Sequence, residues 1–348
     1  MSLYDAVADL PLRIEEESRE QLRADTTSDF ERVTTEVALA GDGAVGRGED
    51  VSYDPADHEA LADAPAFGLT GEWTVDEFSA HLADIDLFPT REPEGEGPRH
   101  YRRWAYESAA LDLALRQADT DLGSVLDREA DPLRFVVSTR LGDPPTADRV
   151  ERLLADAPDR EFKLDPTPAW TQDLVAALAD TDAVRVVDLK GWYEGTDVDV
   201  PADPELYELV LEAFGDAVVE DAAFTDATAP LLEPEADRLA FDYPVTGLAS
   251  LRDLPVEPGW CNVKPSRFGS VESLFETVEF CLEEGIRLYG GGQFELGAGR
   301  ETVQLLAALL YPDAPNDVAP GVFNDPDATG PYPTSPLEIP DVSGLRWA

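Results

Sequence analysis

The chain contains three lysines, Lys163, Lys190 and Lys264, whereas every other basic residue is an arginine. Each lysine lies at the end of a short run of β-branched and apolar residues. Arginine keeps its charge at any working pH, but a lysine that is buried or lies beside other positive charge can lose its proton and act as a base. Three leftover surface residues would seldom all fall at strand ends, so we interpret these lysines as candidate catalytic residues.

Two of the lysines have an aspartate two positions away in the sequence. Lys163 is followed by Asp165, and Lys190 is preceded by Asp188. Side chains two apart on a strand share a face, so both members of each pair can point into one site.

Carboxylates also end three consecutive apolar runs, at Asp188, Glu220 and Asp242. A lone carboxylate at a strand end is usually a helix cap or an ion-pair partner, but three in succession beside the only lysines indicate a site. Oxygen ligands of this number and charge suit Mg²⁺, with water and substrate oxygens completing the coordination. We therefore predict Asp188, Glu220 and Asp242 as ligands of a magnesium ion.

Strand and helix patterns alternate from about residue 130 onward. Alternation of this kind predicts a parallel sheet, and eight strands with helices between them predict a (β/α) barrel whose active site lies at the carboxyl ends of the strands. A doubly wound sheet is the alternative, but no glycine-rich phosphate loop follows an early strand. The strand candidates are 134–139, 161–165, 183–190, 216–221, 238–242, 260–264, 286–291 and 317–323.

The residues before the barrel read as an α+β unit. We predict antiparallel strands at 11–17 and 32–43, a hairpin turn at Asp42-Gly43, and a polar loop at about 18–30. Helical patterns follow at 74–87 and 102–118.

The composition is strongly acidic, with 73 Asp+Glu against 26 Lys+Arg and a net charge of −47. Such charge destabilises the compact state in dilute salt, and concentrated salt screens it, so we expect a halophile's cytoplasmic protein. It argues against nucleic acid or an anionic membrane as a partner. The N-terminal residues show no basic and apolar pattern of a signal peptide.

The motifs together resemble the enolase superfamily, in particular its mandelate racemase/muconate lactonizing enzyme branch. The most specific segment is NVKPSRFGS, and the others are WAYESAALDLALRQ, GRGED, FKLD, VVDLK, VVED, AFD and GGGQFELGAGR. The resemblance implies a modified (β/α)7β TIM-type barrel over 128–323, an α+β capping domain over 1–127, and a C-terminal tail, 324–348, that packs back on the cap.

The resemblance also implies a reaction. Mg²⁺ held by Asp188, Glu220 and Asp242 would stabilise the enolate formed when a proton α to a carboxylate is removed, with Lys264 as the base. We expect a lyase or isomerase that acts on a small carboxylate, and a homo-oligomer. The alternatives are a racemase or epimerase that uses two lysines, and a non-catalytic barrel kept for binding or assembly.

Two departures from the family pattern concern the second base. The family often has Lys-x-Lys on the second barrel strand, where this chain has Lys163-Leu164-Asp165, and a neutral residue where this chain has Lys190. Either Lys190 replaces the missing base opposite Lys264, or it only forms an ion pair with Asp165. All three histidines precede the barrel, so a barrel His–Asp dyad is excluded.

Substrate contacts are expected from the capping domain and the last barrel loops. Arg19, in the predicted polar loop, could meet an anionic end of the substrate, and Asp165, Gln293 and Glu295 could contact it from the barrel. Each of these four residues could equally be a packing or surface residue.

The charge of the chain predicts how its stability responds to salt. The unfolding temperature should rise between about 0.1 M and about 2 M KCl, because the Debye length falls from ~10 Å to below ~3 Å and screens the repulsion. Thermal unfolding followed by circular dichroism measures the effect. A midpoint that stays constant over this range would contradict the interpretation of the charge.

Overall fold

The computed structural model describes residues 2–196 and 198–347. Met1 of the predicted cap, Asp197 of the predicted barrel and Ala348 of the predicted tail lie outside the described residues. The N-terminal part contains a three-stranded antiparallel sheet, in the order β2-β3-β4, packed against one long helix, α4. Its elements are α1 (Asp5–Ala8), β1 (Pro11–Ile14), β2 (Glu16–Asp25), β3 (Glu31–Gly41), β4 (Ala44–Asp50), α2 (Pro55–Asp63), β5 (Gly71–Thr74), α3 (Val75–Ala83), α4 (Gly97–Gln117) and α5 (Leu122–Leu126).

The predicted hairpin turn is confirmed. Gly41 pairs with Ala44 across the two-residue turn. Asp42 and Gly43 both have positive φ, 48° and 78°. This is the backbone conformation that the Asp-Gly sequence favours.

The prediction of a loop at about 18–30 is wrong for most of that segment. Residues 16–25 form strand β2, which pairs along its whole length with β3. The strand lies at the edge of its sheet and is largely exposed, so its polar side chains do not show the alternation that marks a half-buried strand. Strand β2 is held by backbone hydrogen bonds to β3, and the sequence of β2 alone does not show this pairing.

The second part of the chain is a parallel barrel. Seven strands lie in the order β12-β11-β10-β9-β8-β7-β6, and every neighbouring pair is parallel. The strands are β6 (Val137–Thr139), β7 (Phe162–Leu164), β8 (Val184–Asp188), β9 (Val218–Glu220), β10 (Leu239–Phe241), β11 (Trp260–Val263) and β12 (Arg287–Gly290). The helices are α6 (Asp148–Asp156), α7 (Gln172–Ala179), α8 (Pro204–Ala213), α9 (Ala229–Leu232), α10 (Leu248–Arg252), α11 (Pro265–Phe268), α12 (Val271–Glu284) and α13 (Ala298–Leu310), with 3-10 helices at Glu233–Arg238 and Gly321–Phe323.

The eighth position of the barrel is filled by two residues rather than by a full strand. Asn316 bridges to Phe135, before β6, and Asp317 bridges to Gly291, after β12, both in parallel. These bridges join the two edges of the seven-stranded sheet. The predicted strand at 317–323 is therefore too long, since a 3-10 helix forms at Gly321–Phe323. The fold is a modified (β/α)7β TIM-type barrel with an α+β cap, as the sequence predicts.

Hydrogen bonds at several places join the cap to the rest of the chain. The carboxylate of Glu49, at the end of β4, accepts hydrogen bonds from the backbone N–H groups of Leu296, Gly297 and Gly299 at 2.7, 3.0 and 2.9 Å, around the start of α13. At the other end of the chain, the N–H of Leu345 donates to Asp112 of α4 at 2.9 Å. No helix of the described residues is long and apolar enough to cross a membrane.

Replacing Glu49 with Ala should destabilise the fold by about 2–3 kcal/mol, because the substitution leaves buried N–H groups at a helix N-terminus without acceptors. Denaturant unfolding in concentrated salt measures the loss. The control is Glu20→Ala, an exposed glutamate on β2, which should change stability by less than about 0.5 kcal/mol. Equal effects of the two substitutions would show that the Glu49 contact does not hold the cap on the barrel.

Candidate metal and active site

Charged side chains converge at the carboxyl ends of five adjacent barrel strands. Lys163 lies on β7, Asp188 and Glu220 end β8 and β9, and Asp242 and Lys264 directly follow β10 and β11. The three carboxylates are completely buried, and the lysines are only 2% and 7% exposed. Buried charges are stable only when they are paired, so the pairing within this cluster defines the site.

Lys163 joins the first two carboxylates. Its ammonium group donates to Glu220 at 2.6 Å and lies 3.1 Å from Asp188 and 3.4 Å from Asp317. Burial alone would lower the pKa of Lys163, but these neighbouring carboxylates raise it well above the usual lysine value. Lys163 is therefore a fixed positive charge at neutral pH.

Glu220 has neutral as well as charged partners. The hydroxyl of Tyr289 donates to one carboxylate oxygen at 2.5 Å, and the amide of Asn262 donates to the other at 3.2 Å. Burial and the negative charge of Asp188 raise the pKa of Glu220 to about 8. The raised pKa favours the protonated form of Glu220 near neutral pH, and a divalent cation would displace this proton.

Asp242 is held by cations. Lys264 donates to one oxygen at 2.7 Å and Arg267 to the other at 3.0 Å, while the Tyr193 hydroxyl adds a third hydrogen bond at 3.0 Å. Burial alone would raise the pKa of Asp242, but Arg267 and Lys264 lower it well below the usual range. Asp242 is therefore ionised and fully hydrogen-bonded.

A third carboxylate that sequence reasoning did not select groups with Asp188 and Glu220. One oxygen from each of Asp188, Glu220 and Asp221 lies within 4.8 Å of the others. Asp221 also accepts the backbone N–H groups of Asp242 and Tyr243 at 2.8 and 2.9 Å, which fixes its position. Buried oxygen ligands that converge in this way fit a hard divalent cation such as Mg²⁺. The geometry thus brings together two of the three predicted ligands and places Asp221 nearer to them than Asp242.

Lys190 contacts Asp188, with its ammonium also 5.0 Å from the ring centre of Tyr193. Burial would lower the pKa of Lys190, but the charges of Asp165 and Asp188 raise it above the usual lysine value. Among the described residues Lys190 forms no ion pair with Asp165 within 4 Å, and one buried oxygen of Asp165 has no hydrogen-bond partner. Of the two alternatives for Lys190, the ion pair with Asp165 does not form, and Lys190 pairs with Asp188 instead.

The predicted substrate contacts are spread over two regions. Gln293 and Glu295 lie in the loop after β12, where the Gln293 amide donates to Ser266 at 3.1 Å and Glu295 pairs with Arg300 at 3.1 Å. Arg19 lies on β2, and its guanidinium donates to Glu17 and to backbone carbonyls of the cap. Gln293 and Glu295 thus lie near the barrel mouth, whereas the hydrogen bonds of Arg19 are made to residues of the cap.

Sequence reasoning missed several site residues, and only some of them carried a local signal. Asp221 directly follows a predicted ligand, and Asn262 and Arg267 lie within two and three residues of Lys264. No local signal marks Tyr193 or Tyr289 as a partner of a carboxylate, because their roles depend on the barrel closing around them.

The fold is that of the enolase superfamily. Muconate lactonizing enzyme from Pseudomonas putida superposes with a TM-score of 0.69 at 17% identity over 96% of each chain. A dipeptide epimerase from Methylococcus capsulatus, determined in complex with Mg, matches with a TM-score of 0.67 at 18% identity over 88% of this chain and 89% of that one. An enolase superfamily member from Listeria innocua gives 0.68 at 16% identity, over 96% and 94% of the two chains. The predicted resemblance is thereby confirmed at the level of the fold.

The chain belongs to the family described as Domain of unknown function (DUF8230), whose C-terminal domain matches residues 129–325 and whose N-terminal domain matches residues 5–125. No curated protein matches the sequence.

The raised pKa values of the site predict a pH-dependent metal affinity. The pKa values of Glu220 and Asp221 are raised to about 8 and about 7, and a cation binds the deprotonated form, so Mn²⁺ affinity should rise between about pH 6 and about pH 9. Asp188→Asn and Glu220→Gln should each weaken binding by at least about tenfold at neutral pH. Isothermal titration calorimetry in two buffers measures affinity and released protons together.

The exposed Glu205→Gln substitution on α8 is the matched control and should leave Mn²⁺ affinity unchanged. Asp221→Asn and Asp242→Asn identify the third ligand. The variant that lowers Mn²⁺ affinity as much as Glu220→Gln does has lost a metal ligand. Affinity that is independent of pH and unaffected by Asp188→Asn would rule out this cluster as the metal site.

Proposed function

We propose that the protein removes the proton α to the carboxylate of a small organic acid and directs the resulting enolate to elimination or cycloisomerisation, with Mg²⁺ as its cofactor. The observation that supports this proposal is the cluster of buried carboxylates at the carboxyl ends of β8, β9 and β10, with a lysine on either side. If the cluster served only to hold the barrel together, apolar residues of similar volume would stabilise the fold at least as well, because buried ion pairs rarely add net stability.

Asp188 and Glu220 would hold the ion, with Asp221 or Asp242 as the third ligand. When bound, Mg²⁺ supplies a Lewis acid that absorbs the negative charge of an enolate carrying a carboxylate. Lys163 is fixed in its charged form between Asp188 and Glu220, so its part is to stabilise negative charge where it develops.

Lys264 is the proposed base. Lys163 lies against three carboxylates, and the charges of Asp165 and Asp188 both act on Lys190. Within the described residues Lys264 forms an ion pair with Asp242 alone, and Asp242 shares its charge with Arg267. Lys264 therefore faces fewer carboxylates than Lys163 does, and it lies on the opposite side of the cluster from Lys163.

The racemase alternative needs a second base, for which Lys190 was the candidate. Its raised pKa and its contact with Asp188 favour a permanent ammonium group instead, so we propose an electrostatic role for it. A one-base reaction then fits the site better than racemisation. The name of the epimerase neighbour applies to that protein and does not change this assignment.

One observation favours the non-catalytic alternative. The buried carboxylates of the cluster are matched by Lys163, Lys190, Lys264 and Arg267, so the site is close to neutral without any further ion. A binding or assembly protein could retain such a cluster for structural reasons. We further propose that the protein works as a homo-oligomer in a salt-rich cytoplasm, where concentrated salt would screen the net charge of −47.

Solvent deuterium exchange tests the proposal without knowledge of the full reaction. The protein with Mg²⁺ in D₂O should incorporate deuterium at the α-carbon of at least one member of a library of small carboxylates, measured by mass spectrometry. Lys264→Met should reduce the exchange rate by about 10²-fold or more, because it removes the base. Lys190→Met should reduce it less and alter the affinity for the carboxylate.

Exposed Arg252→Met on α10 serves as the control and should exchange at the wild-type rate. Mg²⁺ binding without exchange in any library member would favour the binding or assembly role. Exchange that persists in Lys264→Met but is lost in Lys190→Met would reverse the assignment of the base.

A further inference from the structure

A polar cavity lies away from the barrel mouth, between the tip of the β2–β3 hairpin, the start of α6 and the segment after the last 3-10 helix. Its volume is about 200 Å³, and Thr27, Asp29, Arg149, Arg152, Asp325 and Tyr332 are among the residues that line it. None of the lysines or carboxylates of the candidate active site borders this cavity. It is therefore a separate place where a small polar molecule could bind.

Two arginines of the cavity have no acidic partner. Arg149 and Arg152 are three residues apart on α6, so they lie on the same face of the helix. Within residues 2–196 and 198–347 neither forms an ion pair within 4 Å, whereas Arg134 pairs with Glu161 at 2.6 Å. The two arginines together place positive charge at this cavity in a chain with 73 acidic residues.

Arg149 also carries an unsatisfied donor. Its terminal amino group donates to the carbonyl of Phe323 at 3.0 Å, but its buried Nε–H has no acceptor among the described residues. Burial, and then the like charge of Arg152, lower the pKa of Arg149. A buried donor without an acceptor is costly, and an anionic oxygen in the cavity would satisfy it.

The cavity offers acceptors as well as donors. Asp29 and Asp325 also line the cavity, and their charge is opposite to that of the arginines. One carboxylate oxygen of Asp325 accepts the backbone N–H of Asp327 at 2.9 Å. A carboxylate can only accept hydrogen bonds, so a ligand that contacts an aspartate must itself bring a donor, such as an O–H group. A ligand complementary to the whole cavity thus has anionic oxygens for the arginines and a proton for an aspartate.

We propose that this cavity binds inorganic phosphate in a protonated form, with its anionic oxygens on Arg149 and Arg152 and its hydroxyl on Asp29 or Asp325. Inorganic phosphate keeps at least one hydroxyl group at neutral pH, whereas sulfate keeps none and a phosphate monoester loses its last proton near pH 6. Bound phosphate would join the hairpin tip of the cap to α6 of the barrel. The backbone already links the hairpin tip to the segment after the last 3-10 helix, since the N–H of Thr27 donates to the carbonyl of Asn324 at 2.9 Å.

Calorimetry and thermal unfolding of the full chain test the proposal, with potassium phosphate, potassium sulfate and methyl phosphate, a monoester without a free alcohol group, compared at equal ionic strength near pH 8. Phosphate should bind, raise the unfolding midpoint in a saturable manner, and bind at least about tenfold more tightly than the other two anions. Arg152 is exposed, so Arg152→Met should fold normally and weaken phosphate binding by about tenfold or more. Arg149→Lys should show a similar loss.

Arg252→Met, on α10, is the control and should bind phosphate like the wild type. The double substitution Asp29→Asn with Asp325→Asn should bring sulfate to within about threefold of phosphate, since amides can donate to an unprotonated oxyanion. Equal responses to phosphate and sulfate in the wild type, or unchanged phosphate binding in Arg152→Met, would overturn the proposal.

Discussion

The burial of charge at the mouth of the barrel is the constraint on which the rest of the structure depends. Asp188, Glu220 and Asp242 are completely buried, and an isolated buried carboxylate would be too costly to keep ionised. Lys163 and Lys264 make the burial possible because each donates to a carboxylate at 2.6–2.7 Å. The lysines that the chain retains are thus the counter-charges of its carboxylates, and a site for a divalent cation arises from the same arrangement.

The cap contributes to this arrangement from outside the barrel. The ring of His100, on α4, hydrogen-bonds the carbonyl of Arg267 at 2.7 Å, and the hydroxyl of Tyr101 lies 3.4 Å from the Arg267 guanidinium. Arg267 in turn holds Asp242. Helix α4 therefore positions the short helix α11 that follows Lys264, and Glu49 secures the other side of the cap at the start of α13. The two parts of the chain form one site because the cap fixes the cations that the barrel carboxylates require.

The sequence predicts the features that depend on local periodicity and fails where long-range pairing decides. The seven barrel strands, the hairpin turn at Asp42-Gly43 and the positions of Asp188 and Glu220 follow from apolar runs and the residues that end them. Strand β2 was predicted as a loop because its polar side chains show no alternation. Residues after 317 were predicted as a strand, whereas the bridges of Asn316 and Asp317 already close the barrel. Lys190 contacts Asp188, two residues earlier in the same segment, rather than Asp165, and the sequence alone could not decide between these two carboxylates.

The central claim is that the buried carboxylates at the barrel mouth gather around a divalent cation. A crystal structure of the protein grown with Mn²⁺, with diffraction recorded for anomalous scattering, tests it most directly. The account predicts an anomalous peak between the carboxylates of Asp188 and Glu220, with Asp221 or Asp242 as the third protein ligand. A structure at saturating Mn²⁺ with no peak there, and with Lys163 and Lys190 still against Asp188, would contradict it.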